Sequence, residues 1–343
     1  MSKVDLKMLA TQLNVSVSTV SKALRDSHEI GIATKQRILE KAKELGYRPN
    51  PYASYMRQQK SKTIALIIPE LNNSFFLQVI NGAESIAGEK DYHLLIYISH
   101  EDYEKEKSMI KHLQNGRVDG ILMAVSLTTK DYAHLEECIA NELPIVFFDR
   151  VCHEIETTKI VTDDFASAFA ATEHLIKNGC KNIGYLSISD HLSIGIKRLN
   201  GYKEALNKYD IEFKEENLVK CINDEKENYK LIKEMLTQPE KIDGIFASVE
   251  RFALSTYNVC KDLNISIPDD LKVICFSNLY TADFLHPTLS TINQPAFEMG
   301  ATAAETLLRH LEKKKIELVN ENIVIKSTLI ARESSSRRVD KLG

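Results

Sequence analysis

Apolar positions near the start of the chain recur at helical spacing. Leu6, Leu9, Ala10 and Leu13 fall at i, i+3, i+4 and i+7, one buried face of a helix that Asp5 can cap. Asn14 suits the left-handed turn that follows, and Ser16 caps a second helix, VSTVSKAL, with Val20 and Leu24 directed inward. Beyond a polar loop, Ile38, Ala42 and Leu45 mark a third helix ending at Gly46. Three short helices with a tight turn between the first two predict a helix-turn-helix. A small three-helix protein-interaction domain shows the same periodicity.

From Thr63 the pattern changes to short apolar runs alternating with amphipathic stretches. The expected strands are TIALIIP (63–69), HLLIYIS (93–99), GILMAV (120–125), PIVFFD (144–149), KIVTD (159–163), NIGYLSI (182–188), LVKC (218–221), GIFAS (244–248), LKVICFS (271–277) and IVIKSTLI (323–330). Helical stretches such as Phe75–Glu89, Tyr103–Asn115, Phe165–Asn178, Ile194–Lys208 and Pro295–Glu312 lie between them. Buried strands alternating with helices predict doubly wound parallel sheets. The rhythm restarts near Asp163, so two α/β lobes with a cleft between them follow.

Between head and body lies Tyr47 to Lys62, YRPNPYASYMRQQKSK. Asn50 caps and Pro51 opens a helix of about a turn and a half, to Met56. Helices shorter than about 12 residues are marginal alone in water. The segment therefore reads as a conditional hinge.

Charge sharpens this division. The net charge of −4 conceals a basic head, with 12 Lys/Arg against 5 Asp/Glu in residues 1–62, on an acidic body with 32 against 43. Only the head is suited to a polyanion. The second helix presents Val17, Ser18 and Lys22 as candidate base readers. Thr19 and Ser21 suit phosphates, and Arg25, Lys35 and Arg37 add charge.

Other chemistry is sparse. The six cysteines show no metal or disulfide spacing and read as buried thiols, with no metal or cofactor expected. The start has no export-signal pattern and no apolar run reaches 18 residues, so a soluble cytoplasmic protein with no membrane partner is expected. Nucleotide-loop, zinc-protease and nucleophile-elbow motifs are missing, so no enzyme is expected.

Polar and aromatic residues do gather at the strand ends, where ligands sit in such folds. They are Asn72, Asn73, Phe75 and Phe76, then Asp149 and Arg150, then Asp163 and Asp164. Ser248, Glu250, Arg251, Ser277 and Asn278 follow, with Arg198 in a helix. Carboxylates and guanidinium groups fix hydroxyls while aromatic faces pack on a ring, which suits a sugar or another small polar molecule.

Along its whole length the chain resembles the LacI/GalR family of bacterial transcriptional regulators. The resemblance rests on NVSVSTVSKAL, LGYRPNPYA, VDGILM, PIVFFDR and HPTLSTINQPAFEMG. It implies a homodimer whose heads read a pseudo-palindromic operator, joined to periplasmic-binding-protein-like cores that sense an effector. By position it implies Val17, Ser18 and Lys22 as base readers. Met56 would be a minor-groove wedge beside Ala53, with Arg57, Lys60 and Lys62 near phosphates. Ser16, Thr19, Ser21 and Arg25 complete the candidate DNA contacts. In the cleft it implies Phe75, Phe76, Asp149, Arg150, Asp163 and Arg198, beside the candidates Asn73, Glu250, Ser277 and Asn278.

Two departures bear on the ligand. Glu250 stands where the family's sugar binders commonly have Asn or Asp, and Ser277 where they commonly have Asp. The resemblance also implies three exchanges of chain between lobes, near Asp163, Asn293–Pro295 and Ile323. The expected division is a head at 1–46 and a hinge at 47–62. A first lobe follows at 63–162 and 294–322, and a second at 163–293 and 323–343. The tail, ESSSRRVDKLG, has no leucine heptad, so no coiled-coil tetramer is expected. The favoured expectation is a repressor whose operator affinity a sugar-like effector controls. The alternatives are a cytoplasmic sugar-binding protein or an α/β enzyme with an N-terminal interaction domain.

Overall fold

The computed structural model describes residues 5–24, 26–47, 61–312 and 317–336, which fall in two compact units divided between Ser61 and Lys62. In the head, the Asp5 carboxylate accepts the Met8 amide at 2.8 Å and caps α1 (Leu6–Leu13). Asn14 takes φ 50° and ends it. The Ser16 hydroxyl then accepts the Thr19 amide at 3.0 Å and opens α2 (Val17–Leu24). α3 (Ile32–Glu44) closes the bundle over a core that includes Leu9, Leu13, Val20, Ala23 and Ile38. Ala23 takes a buried place on α2, and Leu24, expected inside, is half-buried at the rim.

The body holds two six-stranded sheets. The first contains β1 (Thr63–Ile68), β2 (His93–Ile98), β3 (Gly120–Met123), β4 (Ile145–Phe148), β5 (Lys159–Thr162) and β11 (Asn322–Ile325), in the order β11-β5-β4-β3-β1-β2. All its pairings are parallel. Its central runs are buried on both faces, which is why they read as unbroken apolar segments.

The second sheet contains β6 (Ile183–Ser187), β7 (Leu218–Lys220), β8 (Gly244–Ala247), β9 (Lys272–Phe276), β10 (Ser290–Asn293) and β12 (Thr328–Ile330), in the order β12-β10-β9-β8-β6-β7. Only β12 runs antiparallel to its neighbour. The helices are α4 (Ser74–Glu89), α5 (Tyr103–Leu113), α6 (Ala133–Ala140), α7 (Asp164–Lys177), α8 (Ser193–Lys208), α9 (Glu225–Leu236), α10 (Glu250–Leu263) and α11 (Ala296–Glu312).

Two strand expectations need correction. The run IVIKSTLI is not one strand: β11 belongs to the first sheet and β12 to the second, with Lys326 and Ser327 between them. That chain exchange therefore lies after β11 instead of near Ile323. Both strands are half-exposed edges of their sheets, so the break is set by which sheet each half joins and not by burial of Lys326 or Ser327. β10 was also unexpected, because STIN carries a single apolar residue and takes its place from its neighbours β9 and β12.

The chain passes to the second lobe between β5 and α7 and returns to the first between β10 and α11. The return is fixed by close packing of α11 on α4. A Cβ on Gly82 would stand 2.0 Å from the Phe297 carbonyl oxygen, and one on Gly300 2.1 Å from that of Val79. Only glycine permits this approach.

Candidate functional site

In the head, Val17 and Ser18 are exposed at the start of α2, as a surface that reads a groove requires. Ser16 is the helix cap, and its hydroxyl lies 2.8 Å from that of Thr19. Lys22 forms an ion pair with Glu29, and both side chains remain partly exposed. Such a pair is worth little and yields readily to a phosphate or base. Ser21 is half-buried. Lys35 binds the Asp26 carboxylate at 2.6 Å and Arg37 donates to the Leu13 carbonyl, so both tie the bundle together. Arg25, Ala53, Met56, Arg57 and Lys60, and with them the hinge helix, lie outside the described residues.

The cleft between the lobes is built from strand ends and helix starts. Asn73 caps α4, its side-chain oxygen accepting the Phe75 amide at 3.0 Å. That cap holds Phe75 and Phe76 in a T-shaped pair, with Phe76 also edge-on to Phe148. Asp149 follows β4 in a left-handed conformation, φ 56°, which turns the next residue back toward the cleft. Burial pushes its carboxyl above the ordinary range, against the pull of Arg198 and Arg150.

Arg150 is buried, and its Nη1 reaches both Glu101 carboxylate oxygens at 2.7 and 2.9 Å. Glu101 is held in turn by the Leu127 amide at 2.6 Å. Arg198, also buried, donates Nε to Asp164 at 2.7 Å and Nη1 to the Ser248 carbonyl at 2.7 Å. Its guanidinium lies 3.8 Å from the Phe276 ring centre. Among the described residues Arg150 Nε and Arg198 Nη2 have no hydrogen-bond partner. Both side chains help to wall an interlobe cavity of about 20 Å³. Buried donors left over at a cavity wall are what a polar ligand needs.

Glu250 and Asn278 make contacts that cross the cleft, and Ser277 braces Glu250. Glu250 accepts the Ser74 amide of the first lobe at 3.1 Å and the Ser277 hydroxyl of the second at 2.8 Å. The two departures from the family pattern thus bind each other. The Asn278 side-chain amide donates to Gln78 at 3.0 Å across the cleft and to the Gln294 carbonyl at 2.7 Å.

Of the candidate effector contacts, Asn73, Phe75, Phe76, Asp149, Arg150, Arg198, Glu250, Ser277 and Asn278 wall the cavity. Asp163 does not. Its carboxylate accepts the Ser327 amide at 2.8 Å and the Ser167 hydroxyl at 3.0 Å, tying two chain crossings together. Its neighbour Asp164 is the partner of Arg198, and nothing in the sequence distinguishes the two. Glu101, Gln78 and Gln294 were missed. Gln294 alone had a signal, its place beside Pro295 where the chain changes lobe.

Among the described residues no group of three or more His, Cys, Asp and Glu is placed to hold a metal ion. All six cysteines are free and buried, and burial pushes the Cys138, Cys152, Cys180, Cys221 and Cys260 thiols up to about 12. No described helix is long and apolar enough to cross a membrane.

Known proteins carry the same two parts. The profile of "Bacterial regulatory proteins, lacI family" matches residues 5–50, and that of "Periplasmic binding proteins and sugar binding domain of LacI family" matches 61–333. HTH-type transcriptional regulator RegA of Clostridium saccharobutylicum is 30% identical over 334 residues, 96% of this chain and 99% of that protein. The ribose operon repressor of Haemophilus influenzae is 29% identical over 332 residues, 96% of this chain and 98% of that one. The structure of the transcriptional regulator CelR in complex with cellobiose superposes with a TM-score of 0.73 at 24% identity, covering 96% of this chain and 99% of that one. With the head matched by one family profile, the core by the other, and its relatives named as regulators and not enzymes, the chain belongs to the LacI family of bacterial transcriptional regulators.

Proposed function

We infer that this regulator is a homodimeric, cytoplasmic repressor that reads a pseudo-palindromic operator and is controlled by a sugar or sugar derivative bound between its lobes. The observation that carries the effector site is the convergence of three buried ionic side chains, Asp149, Arg150 and Arg198, on one interlobe cavity, with two guanidinium nitrogens unused. Phe75, Phe76 and Phe276 line the same cavity and offer apolar surface to a ring. The matched sugar-binding profile and the ribose operon repressor among the relatives support this class of ligand.

The operator role rests on the exposed start of α2. Val17 offers a methyl surface to thymine, Ser18 donates or accepts, and Lys22 exchanges Glu29 for guanine O6 and N7. Control follows from linkage. An effector that prefers one lobe arrangement shifts the dimer toward it, and DNA that prefers the other opposes it by the same factor. The hinge segment between head and core, with Ala53, Met56 and Arg57, is where that preference meets the minor groove.

The test is a band-shift titration with duplexes from the protein's own promoter region, repeated over a range of salt and with a panel of sugars. The expected result is salt-sensitive, sequence-specific binding that one sugar changes. Absence of specific binding refutes the operator reading, and indifference to every sugar refutes the effector reading.

A further inference from the structure

The cavity between Asp149 and Arg198 is not the only space in the cleft. A second, of about 340 Å³, opens beside it. Its walls are the Glu70–Asn73 turn of the first lobe and, from the second, the loop from Ile222 to Asp224 and the first turn of α10. Asn73, Val249 and Glu250 wall both spaces. Glu250 is buried and stands between them, bridging the Ser74 amide and the Ser277 hydroxyl.

The sizes decide what the inner space can hold. About 20 Å³ accommodates roughly one water, far below the ~300 Å³ at which small-molecule sites begin. A ligand that engages Asp149 and Arg198 therefore needs Glu250 to move, and that movement joins the inner space to the outer one. When the Glu250 carboxylate swings away it frees one N–H donor and one hydroxyl, and ligand oxygens can accept the first and bind the second.

Charge decides the class. The inner cations already have partners, Arg150 with Glu101 and Arg198 with Asp164. The outer walls carry Glu70, Asp224, Glu225 and Glu250 against Arg251, which is already paired with Glu70 at 3.6 Å and donates to Asn223 at 3.1 Å, so the carboxylates remain in excess. A phosphate or carboxylate is repelled there. Ile222 and Leu254 offer apolar faces beside the amides of Asn72 and Asn223, a wall suited to a second sugar ring.

We propose that the two spaces form one binding site divided by Glu250, and that the effector is a neutral glycoside of two rings. One ring lies against Asp149 and Arg198 and the other occupies the outer space. The proposal rests on the carbohydrate reading of the cleft, and the experiment separates the two.

Thermal shift and titration calorimetry on the full chain would use D-ribose, D-glucose, cellobiose, maltose, lactose, sucrose, trehalose and glucose 6-phosphate. The expected result is that one neutral disaccharide binds roughly tenfold or more tightly than either monosaccharide, and that glucose 6-phosphate does not bind. Leu254→Trp, which fills the outer space, should abolish that preference and leave monosaccharide affinity within about threefold. Asn223→Trp, on an exposed loop, gives the same reading if Leu254→Trp fails to fold. A monosaccharide that binds as tightly as every disaccharide overturns the two-ring proposal and leaves the carbohydrate reading standing. So does a disaccharide indifferent to the outer-space variants. No binding by any sugar overturns both.

Discussion

Arg198→Met tests whether the ionic floor of the cleft is also a structural element. The guanidinium is 1% exposed, donates at 2.7 Å to both Asp164 and the Ser248 carbonyl, and lies on the Phe276 ring. Methionine keeps the apolar stem but strands the Asp164 carboxylate, itself 2% exposed. Removing one partner of a buried pair costs about 3–5 kcal/mol, a large part of a typical stability of ~5–15 kcal/mol. The chain has no tryptophan, so urea unfolding is best followed by far-ultraviolet circular dichroism. Pairing Arg198→Met with Asp164→Asn removes the stranded charge, and the double variant should recover at least about 1 kcal/mol relative to the sum of the singles. The substitution should also move Asp149, whose carboxyl is raised by burial and held down by Arg198. A raised carboxyl keeps its proton longer folded than unfolded. Stability from that group is therefore greatest below the ordinary carboxylate range and falls as pH rises through the folded value. Loss of Arg198 should extend that decline to higher pH. A single variant within ~1 kcal/mol of the parent, or strictly additive singles, would refute the reasoning.

Four further outcomes are expected. Lys22→Ala should relax preference at one base pair by about 1–3 kcal/mol in band-shift with operator variants, and a uniform loss across sequences would instead make Lys22 a phosphate contact. Its exposed pair with Glu29 contributes little, so the melting temperature of the head should hardly change. Asn278→Ala removes hydrogen bonds to Gln78, Asn293 and Gln294, and urea unfolding should show a loss of about 1–3 kcal/mol. Lys208, Lys177 and Tyr209 hold the Glu173 carboxyl down at about 2. Its stabilisation is therefore present above the ordinary value of 4.5 and lost as pH falls toward 2. The deficit of Glu173→Gln in thermal melts should shrink across that window, and a constant deficit would contradict the assignment. Gly82→Ala drives a methyl into the Phe297 carbonyl and should cost about 3 kcal/mol or more, seen as a fall in melting temperature.

Much of this architecture was legible because burial is regular. Strands covered on both faces leave unbroken apolar runs such as TIALII and IVFF, and amphipathic helices leave a 3.6-residue period. The helix caps Asp5 and Ser16 were equally readable, since a short polar side chain before an apolar period has one common use, whereas Asn73, read as a cleft contact, is also the cap of α4. Legibility failed where tertiary context decides. β10 has one apolar residue, and Lys326–Ser327 breaks a run that reads as continuous. In the cleft, residue type named the participants but not their pairings. Asp163 and Asp164 are indistinguishable by chemistry, yet the first ties the crossings and the second neutralises Arg198. Glu101 was invisible, because its role depends on the turn after β2 reaching Arg150 across 49 residues of chain.

The crossings themselves give the cleft a route to the lobe arrangement. Asp163 holds Ser327 at 2.8 Å, so two of the three connecting segments are bonded side by side. Gln294, on the third, donates to Thr162 at 3.4 Å and exchanges hydrogen bonds with Asn278 in both directions. Its side chain also contacts the Asp149 carboxyl, the group a ligand hydroxyl would engage. A ligand that takes Asp149 therefore competes for an amide seated at the pivot, while one that displaces Glu250 releases the contact to Ser74 on the opposite lobe. At the proposed site, binding would act on the pivot and on a cross-cleft tie together. Coupling between ligand and lobe angle requires that differential contact, because a ligand bound equally well by both arrangements shifts neither.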